Sequence, residues 1–332
     1  MNAAGLDIGG ANLKGARGDG LIVTRPFALW RKRDGLPRAI GKLLTSLEPF
    51  DRLAVTMTGE LCDCYENKED GALHILDAVE EAAGISPLVW LPGEGLASLE
   101  KARSEPLTAA AANWHALATW AASLEGHGDS LLIDIGSTTT DIIRLEAGAP
   151  SAGGLTDTER LQSGALVYTG VRRTPICALL EEADLGGQAC PLAAEHFATT
   201  LDAWLLLEEI PEDPGYLATA DGRPATGRMA RDRLARMLCL DPQELDEEEA
   251  LSLARQVACA QENKICRAIG RLIEAGKPAG AFISGEGEFL ALRALQSLGL
   301  DDGLVTPMSR LYNPVVSGAA CAFALARLAV EA

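Results

Sequence analysis

Short apolar runs closed by glycine dominate the N-terminal part of the chain. The stretch "AAGLDIGG" predicts a strand over residues 3–8, then a tight turn, then a second strand over 13–17. This is a hairpin whose tip carries Gly9, Gly10, Ala11 and Asn12. "RLAVTMTG" (52–59) predicts another strand ending at Gly59. "GALHILDAVEEAAG" (71–84) spaces its apolar residues as a helix does and stops on glycine. "SPLVWLPG" predicts a short strand and "LTAAAANWHALATWAASLEG" (107–126) one long helix. His-Gly-Asp at 127–129 is the expected crossing between two domains. A strand–turn–strand pattern returns at 131–145, and a mixed region runs to about 180. Residues 193–275 read as largely helical, with Asp241-Pro242 as a helix opener. "AGAFISGEG" (279–287) predicts a strand running into a glycine turn. "NPVVSGAACAFALARLAV" predicts an asparagine cap, proline at the first helical position and a helix to the end.

Two of these segments are copies of each other. "GLDIGGANLKGA" (5–16) and "LLIDIGSTTTDII" (131–143) align at an offset of 127 residues. Asp7 falls on Asp134, Ile8 on Ile135, Gly9 on Gly136, Gly10 on Ser137, and Lys14 on Asp141. Internal repetition decides architecture before any single residue does. A glycine-tipped turn exposes successive backbone N–H groups and lets a ligand approach the backbone, so it can hold phosphate oxygens. Two such turns from two similar domains would face each other across a cleft. Gly9, Gly10, Asn12, Gly136, Ser137, Thr138, Thr139 and the later turn glycine Gly285 are therefore the expected phosphate-binding residues. Asp7 and Asp134 close equivalent strands, and a pair of carboxylates suits Mg²⁺, which keeps several of its waters. Lys14 can add a point charge to a phosphate.

Composition narrows the partners. The chain has 332 residues, 48% apolar, enough for two cores, and a net charge of −18. That balance argues against nucleic acid or a membrane surface as a partner. The start of the chain reaches Asp7 with no apolar leader, and 315–330 is too short to span a bilayer. The eight cysteines show neither Cys-x-x-Cys nor zinc spacing with histidine, so they read as buried thiols of a reducing cytoplasm. The expected domains are 1–127 plus 318–332, and 128–317 with a helical insertion at about 193–275. A homodimer is compatible with this plan.

Other candidates lie at loop ends. Glu60 and Asp63 follow the strand ending at Gly59 and can bind an ammonium group or a metal, with Lys68 as an alternative partner. Arg160, Arg172 and Arg173 surround "GALVYTG", and Arg172 or Arg173 can hold a carboxylate bidentately. Tyr168 reads as packing, Asp221-Gly222 as a turn, and the arginines of 223–236 as a solvated helix surface paired with nearby acids. The four histidines share no spacing and receive no role. From the residues alone, the reading is Mg²⁺ and a phosphorylated small molecule in a two-domain cleft.

The two hairpins, "FISGEGE" (282–288) and "VVSGAACAFA" (315–324) resemble the acetate and sugar kinase, heat-shock ATPase and actin superfamily. "DIGSTTTDI" is similar to its hydantoinase/oxoprolinase branch. "AVTMTGELCDCYENKEDG" (54–71), "AANWHALA" (111–118), "TDTERLQSGALVYTGVRRTP" (156–175) and "TADGRPATGRMARDRLARM" (219–237) resemble a smaller group in tetrahydromethanopterin-linked one-carbon metabolism. Its archaeal members include the methylofuran-biosynthesis transferase that couples an aminomethylfuran diphosphate to γ-glutamyltyramine. The resemblance implies an α/β, two-domain actin-like ATPase (ribonuclease H-like) fold with duplicated phosphate-binding hairpins. It also implies Mg²⁺–diphosphate chemistry: Lys14 and the hairpins on the leaving group, Asp134 or Asp141 as base for a phenol. The rival readings are an ATP-dependent small-molecule kinase or hydantoinase/oxoprolinase-like ATPase, and a non-catalytic ligand-binding regulator. Glu286, where a small residue is expected in an adenosine turn, counts against adenine.

Overall fold

The structure, a computed structural model, describes residues 2–124, 128–274 and 276–331. Among these residues the chain forms two six-stranded sheets and a separate two-stranded hairpin. The first sheet contains β1 (Ala3–Gly9), β2 (Asn12–Arg17), β3 (Ile22–Pro26), β4 (Arg52–Thr58), β5 (Leu88–Leu91) and β6 (Gly95–Ser98), in the order β3-β2-β1-β4-β5-β6. The second contains β7 (Ser130–Ile135), β8 (Thr140–Glu146), β9 (Ala149–Ser151), β10 (Leu166–Val167), β13 (Gly280–Ser284) and β14 (Val305–Pro307). β11 (Glu182–Leu185) and β12 (Gln188–Pro191) make the isolated hairpin.

The two sheets repeat one plan. β1 pairs antiparallel with β2 and parallel with β4, and β7 pairs antiparallel with β8 and parallel with β13. The hairpins share a register: the last paired residues at the tips are Ile8 with Leu13, and Ile135 with Thr140. β1 and β7 are buried on both faces, as central strands covered on two sides are. The helix Ala320–Glu331 lies on β1, β4 and β2, beside the helix Asn113–Ala122. Gly5 lets it approach, because a Cβ there would stand 2.0 Å from the carbonyl oxygen of Ala322. A shared apolar layer, with Trp114, Trp120 and Phe323 against Leu132, Ile143 and Phe282, joins these helices to the second sheet.

Several elements differ from the sequence expectation. The helix expected over 107–126 is two pieces, Pro106–Ala109 and Asn113–Ala122, broken where Ala111 takes a left-handed φ of 49°. Its last residues, 125 and 126, and position 127 of the expected domain crossing lie outside the described residues. The helix expected from 71 begins at Lys68, because the Asn67 side chain accepts from the Asp70 amide at 2.9 Å. Asp241-Pro242 opens only a turn. The long helix Glu247–Ile273 starts instead at a reciprocal cap between Asp246 and Glu249. Within the region read as largely helical, residues between Leu206 and Gly227 are irregular. The closing helix is interrupted: Asn313 caps Pro314–Ser317 as expected, but Gly318 and Ala319 intervene before Ala320–Glu331. The strands β3, β6, β9 to β12 and β14 had no expectation attached to them.

The cysteines are all free, but only Cys321 is buried, and Cys239 and Cys259 are exposed. The arginines of 223–236 pair chiefly with Asp221, Asp232 and Asp202 rather than with the acids beyond 243. Arg233 is fully buried and not solvated. Among the described residues no helix is long and apolar enough to cross a membrane.

Candidate functional site

The tips of the two hairpins open onto one cleft of about 540 Å³ between the sheets. Gly9, Gly10, Asn12 and Lys14 line it from the first hairpin, and Gly136, Ser137, Thr138 and Thr139 from the second. Asp7, Asp134 and Asp141 stand beneath the tips, and Glu60, Asp63, Arg173 and Gly285 also face the space. The hairpins converge because each is the central pair of its sheet. Residues distant in sequence thus meet through topology alone.

Two expected residues are placed elsewhere. Arg172 donates from Nε to Glu286 and lies over the Tyr216 ring at 5.1 Å, away from the cleft lining. Lys68 pairs with Asp157 at 3.3 Å, not with Glu60 or Asp63, and does not line the cleft. The Gly285 amide is donated to Ser317, so this glycine shapes the wall.

Electrostatics distinguish the carboxylates. Lys14 donates to the Gly318 carbonyl at 2.7 Å and lies near Asp7 and Asp134. Burial pushes Asp7 up to about 6, opposed by Lys14 and reinforced by the charge of Asp134. Asp134 is raised by burial too, and Ser284, donating at 2.6 Å, and Lys14 oppose the rise. Burial also lifts Asp141 to about 6, against the pull of the Arg160 guanidinium that hydrogen-bonds it. Burial strips water from these carboxylates, so a charge on any of them needs a partner or a ligand.

Asp7 Oδ1 is buried and has no partner within the protein. Among the described residues no cluster of three or more His, Cys, Asp or Glu has metal-binding geometry. Mg²⁺ needs no such cage: it takes one or two carboxylates, with phosphate oxygens and waters completing its shell. Asp7 and Asp134 fit that requirement.

Residues to which the sequence reading gave no site role complete the site. Arg160 is 2% exposed, pairs with Asp141 and Asp157, and stacks over Trp114 at 4.2 Å. Its signal was present in the acidic residues around it, but only folding shows which one it meets. Asn113 lines the cleft near Asp7, holds down that carboxyl's raised pKa, and donates to Cys321 Sγ at 3.6 Å. Trp30 lines the cleft and meets Arg173, whose guanidinium lies 5.2 Å from its ring. Tyr168, read as packing, is 59% exposed at the rim.

The second tip is braced from behind. Val171, Arg172 and Arg173 donate their amides to Gly136 and Ser137 carbonyls at 3.0 Å. Gly170 makes room for this, since a Cβ there would lie 2.4 Å from the Thr138 nitrogen. Behind it Gln261, buried in the long helix, donates to Thr169 and Gly170 and accepts from Trp204.

The paired sheets, the twin hairpins and the cleft define a protein of the actin-like ATPase fold. A glucokinase of the ROK family from Streptomyces griseus, solved with glucose and AMPPNP, superposes over all of both chains with a TM-score of 0.52 at 14% identity. The chain belongs to the hydantoinase/oxoprolinase family, whose signature matches residues 51–331. Within that setting it is 32% identical over 328 residues to the (4-{4-[2-(γ-L-glutamylamino)ethyl]phenoxymethyl}furan-2-yl)methanamine synthase of Methanocaldococcus jannaschii. The match covers 98% of this chain and 96% of that one. The synthase of the same name from Methanococcus vannielii is 32% identical over 168 residues, 51% of this chain and 75% of that one.

Proposed function

We propose that the protein is a synthase of methylofuran-type cofactors, joining γ-glutamyltyramine to an aminomethylfuran diphosphate with release of diphosphate. The observation that carries this reading is the near full-length relationship to the synthase of Methanocaldococcus jannaschii. The kinase reading is not favoured, because likeness to the glucokinase at 14% identity is one of fold. In the reaction the phenol oxygen bonds to the furan methylene carbon. The carbon–oxygen bond to diphosphate breaks, and diphosphate leaves with the electron pair. The phenol proton passes to a base.

The cleft supports each part. Lys14, the tip amides and the hydroxyls of Ser137, Thr138 and Thr139 are the candidates to hold the diphosphate. Mg²⁺, held by Asp7 and Asp134, would neutralise charge growing on the leaving oxygens. Asp141, raised to about 6, is a better base for a phenol of pKa about 10 than an ordinary carboxylate. Arg160 fixes its position. The same reading puts the enzyme in tetrahydromethanopterin-linked one-carbon metabolism and in the cytoplasm, where free thiols such as the eight here persist. Purified protein incubated with both substrates and Mg²⁺ should form the ether and diphosphate in equal amounts by mass spectrometry. Phosphorylation of a small molecule by ATP, with no ether formed, would replace this reading with the kinase.

A further inference from the structure

Glu60 is the carboxylate of the cleft without an assigned task. It is 2% exposed, and its Oε2 is buried with no partner inside the protein. The other buried or half-buried acids facing this space are engaged. Asp141 and Asp157 hold Arg160, Asp157 also meets Lys68, and Asp134 accepts from Ser284. Asp7 has an unpartnered oxygen too, but it stands beside Lys14 and is the proposed Mg²⁺ ligand. Asp63, also on the cleft, is exposed.

The chain goes to some length to hold Glu60 where it is. Gly71 lies against its backbone so closely that a Cβ would come within 2.1 Å of the Glu60 carbonyl oxygen. The backbones of Glu60 itself and of Ala111 lie close to the carboxylate and oppose the rise that burial causes in its pKa. Ala111 does this from a left-handed conformation, φ 49°, at the point where a run of good helix formers breaks. Alanine is rarely found there, and such strain persists where the surroundings impose it. A rigid, dry carboxylate with one open oxygen asks for a cation that brings its own hydrogens. Lys68, whose charge acts on it, is turned to Asp157 at 3.3 Å.

We infer that Glu60 binds a primary ammonium group of the substrate, the aminomethyl group on the furan ring, and so selects the amine over an uncharged analogue. This deepens the synthase reading and rests on it for the identity of the amine. A buried site built to hydrogen-bond a charged group rejects the analogue lacking it, because the protein's own group is then left unpaired.

The test is binding, measured by calorimetry with Mg²⁺, of aminomethylfuran diphosphate and of the matching hydroxymethylfuran diphosphate. Wild-type protein should prefer the amine by roughly a hundredfold. Glu60→Gln should reduce the preference to below about fivefold, and Glu60→Asp, one methylene shorter, should cut it at least about tenfold. Either variant suffices if the other does not fold. Wild type binding both compounds equally, or a folded variant keeping the full preference, would overturn the assignment. Ether formation is assayed separately. Amine preference lost in the variants but no ether made by wild type would support the Glu60 assignment and remove the synthase reading instead.

Discussion

Asp134 and Asp141 are direct cross-strand partners in the second hairpin, at the register position where Asp7 and Lys14 pair in the first. The duplication has therefore kept one carboxylate in each hairpin and opposed the sign of its neighbour. Like charges directly opposite on a sheet destabilise it. Here Arg160 offsets the repulsion at Asp141, and burial favours the neutral form of both acids.

That asymmetry predicts a division of labour. Lys14→Ala should weaken diphosphate binding at least about tenfold, the loss of one point charge on a phosphate. Asp141→Asn should lower kcat with little change in diphosphate affinity, as loss of a group acting in the transition state does. Isothermal titration and steady-state rates on both variants check this. Equal loss of diphosphate affinity in the two would show that the hairpins do the same job.

Asp7→Asn and Asp134→Asn should each reduce turnover by at least about a hundredfold, near 3 kcal/mol, the scale of removing one preorganised charge-stabilising group. Near-normal rates at saturating Mg²⁺ would remove the metal role from these carboxylates.

Asp7→Asn should also stabilise the ligand-free protein at neutral pH. The folded-state pKa of Asp7, about 6, is above the ordinary value of 3.8, so the charged form opposes folding as pH rises through 6. The variant's advantage should be on the order of 1–3 kcal/mol at pH 7. It should vanish below about pH 4, where both side chains are neutral. Denaturant melts at pH 4 and 7 read it directly.

For activity, the raised Asp141 predicts an acid limb with an apparent midpoint near 6, because a protonated carboxyl cannot accept the phenol proton. The limb should shrink in the residual rate of Asp141→Asn to the contribution of Asp7, which is also raised to about 6. A flat profile down to pH 4.5 would move the base elsewhere.

Inorganic diphosphate with Mg²⁺ should protect the fold more than adenosine does. Binding to the native state adds RT ln(1 + [L]/Kd), about 2.7 kcal/mol at a hundredfold excess. Thermal melts with each ligand decide, and a larger shift with ATP than with diphosphate would favour a nucleotide site.

Gly170→Ala should destabilise the protein by about 1–3 kcal/mol, the usual cost of overpacking. The added carbon meets backbone rather than a movable side chain, 2.4 Å from the Thr138 nitrogen. Since the displaced element is the second hairpin tip, kcat should fall with stability. Unchanged kcat in a destabilised variant would show that the tip position is immaterial.

The sequence by itself determined the repeat, and with it the two hairpins, the paired strand-end aspartates and the glycine tips. Those features are local: strand periodicity, a turn of small residues and a register that a duplicated segment carries with it. The resemblance carried the fold and family, because its motifs span nearly the whole chain. Caps were less legible. Pro242 and Asp246 are both acceptable helix starts, and the choice fell to the reciprocal bond with Glu249. Only the tertiary structure decided which charges meet. Arg160 lies 19 residues from Asp141 and reaches it across a packed Trp114, while Arg172, equally eligible in the sequence, is drawn off to Glu286. Glu60 was visible as a carboxylate after a strand. That it is dry, rigid and open at one oxygen depends on Gly71 and on the strained Ala111. Ion pairing and desolvation depend on distances between segments that the chain brings together only when its sheets close over a common cleft.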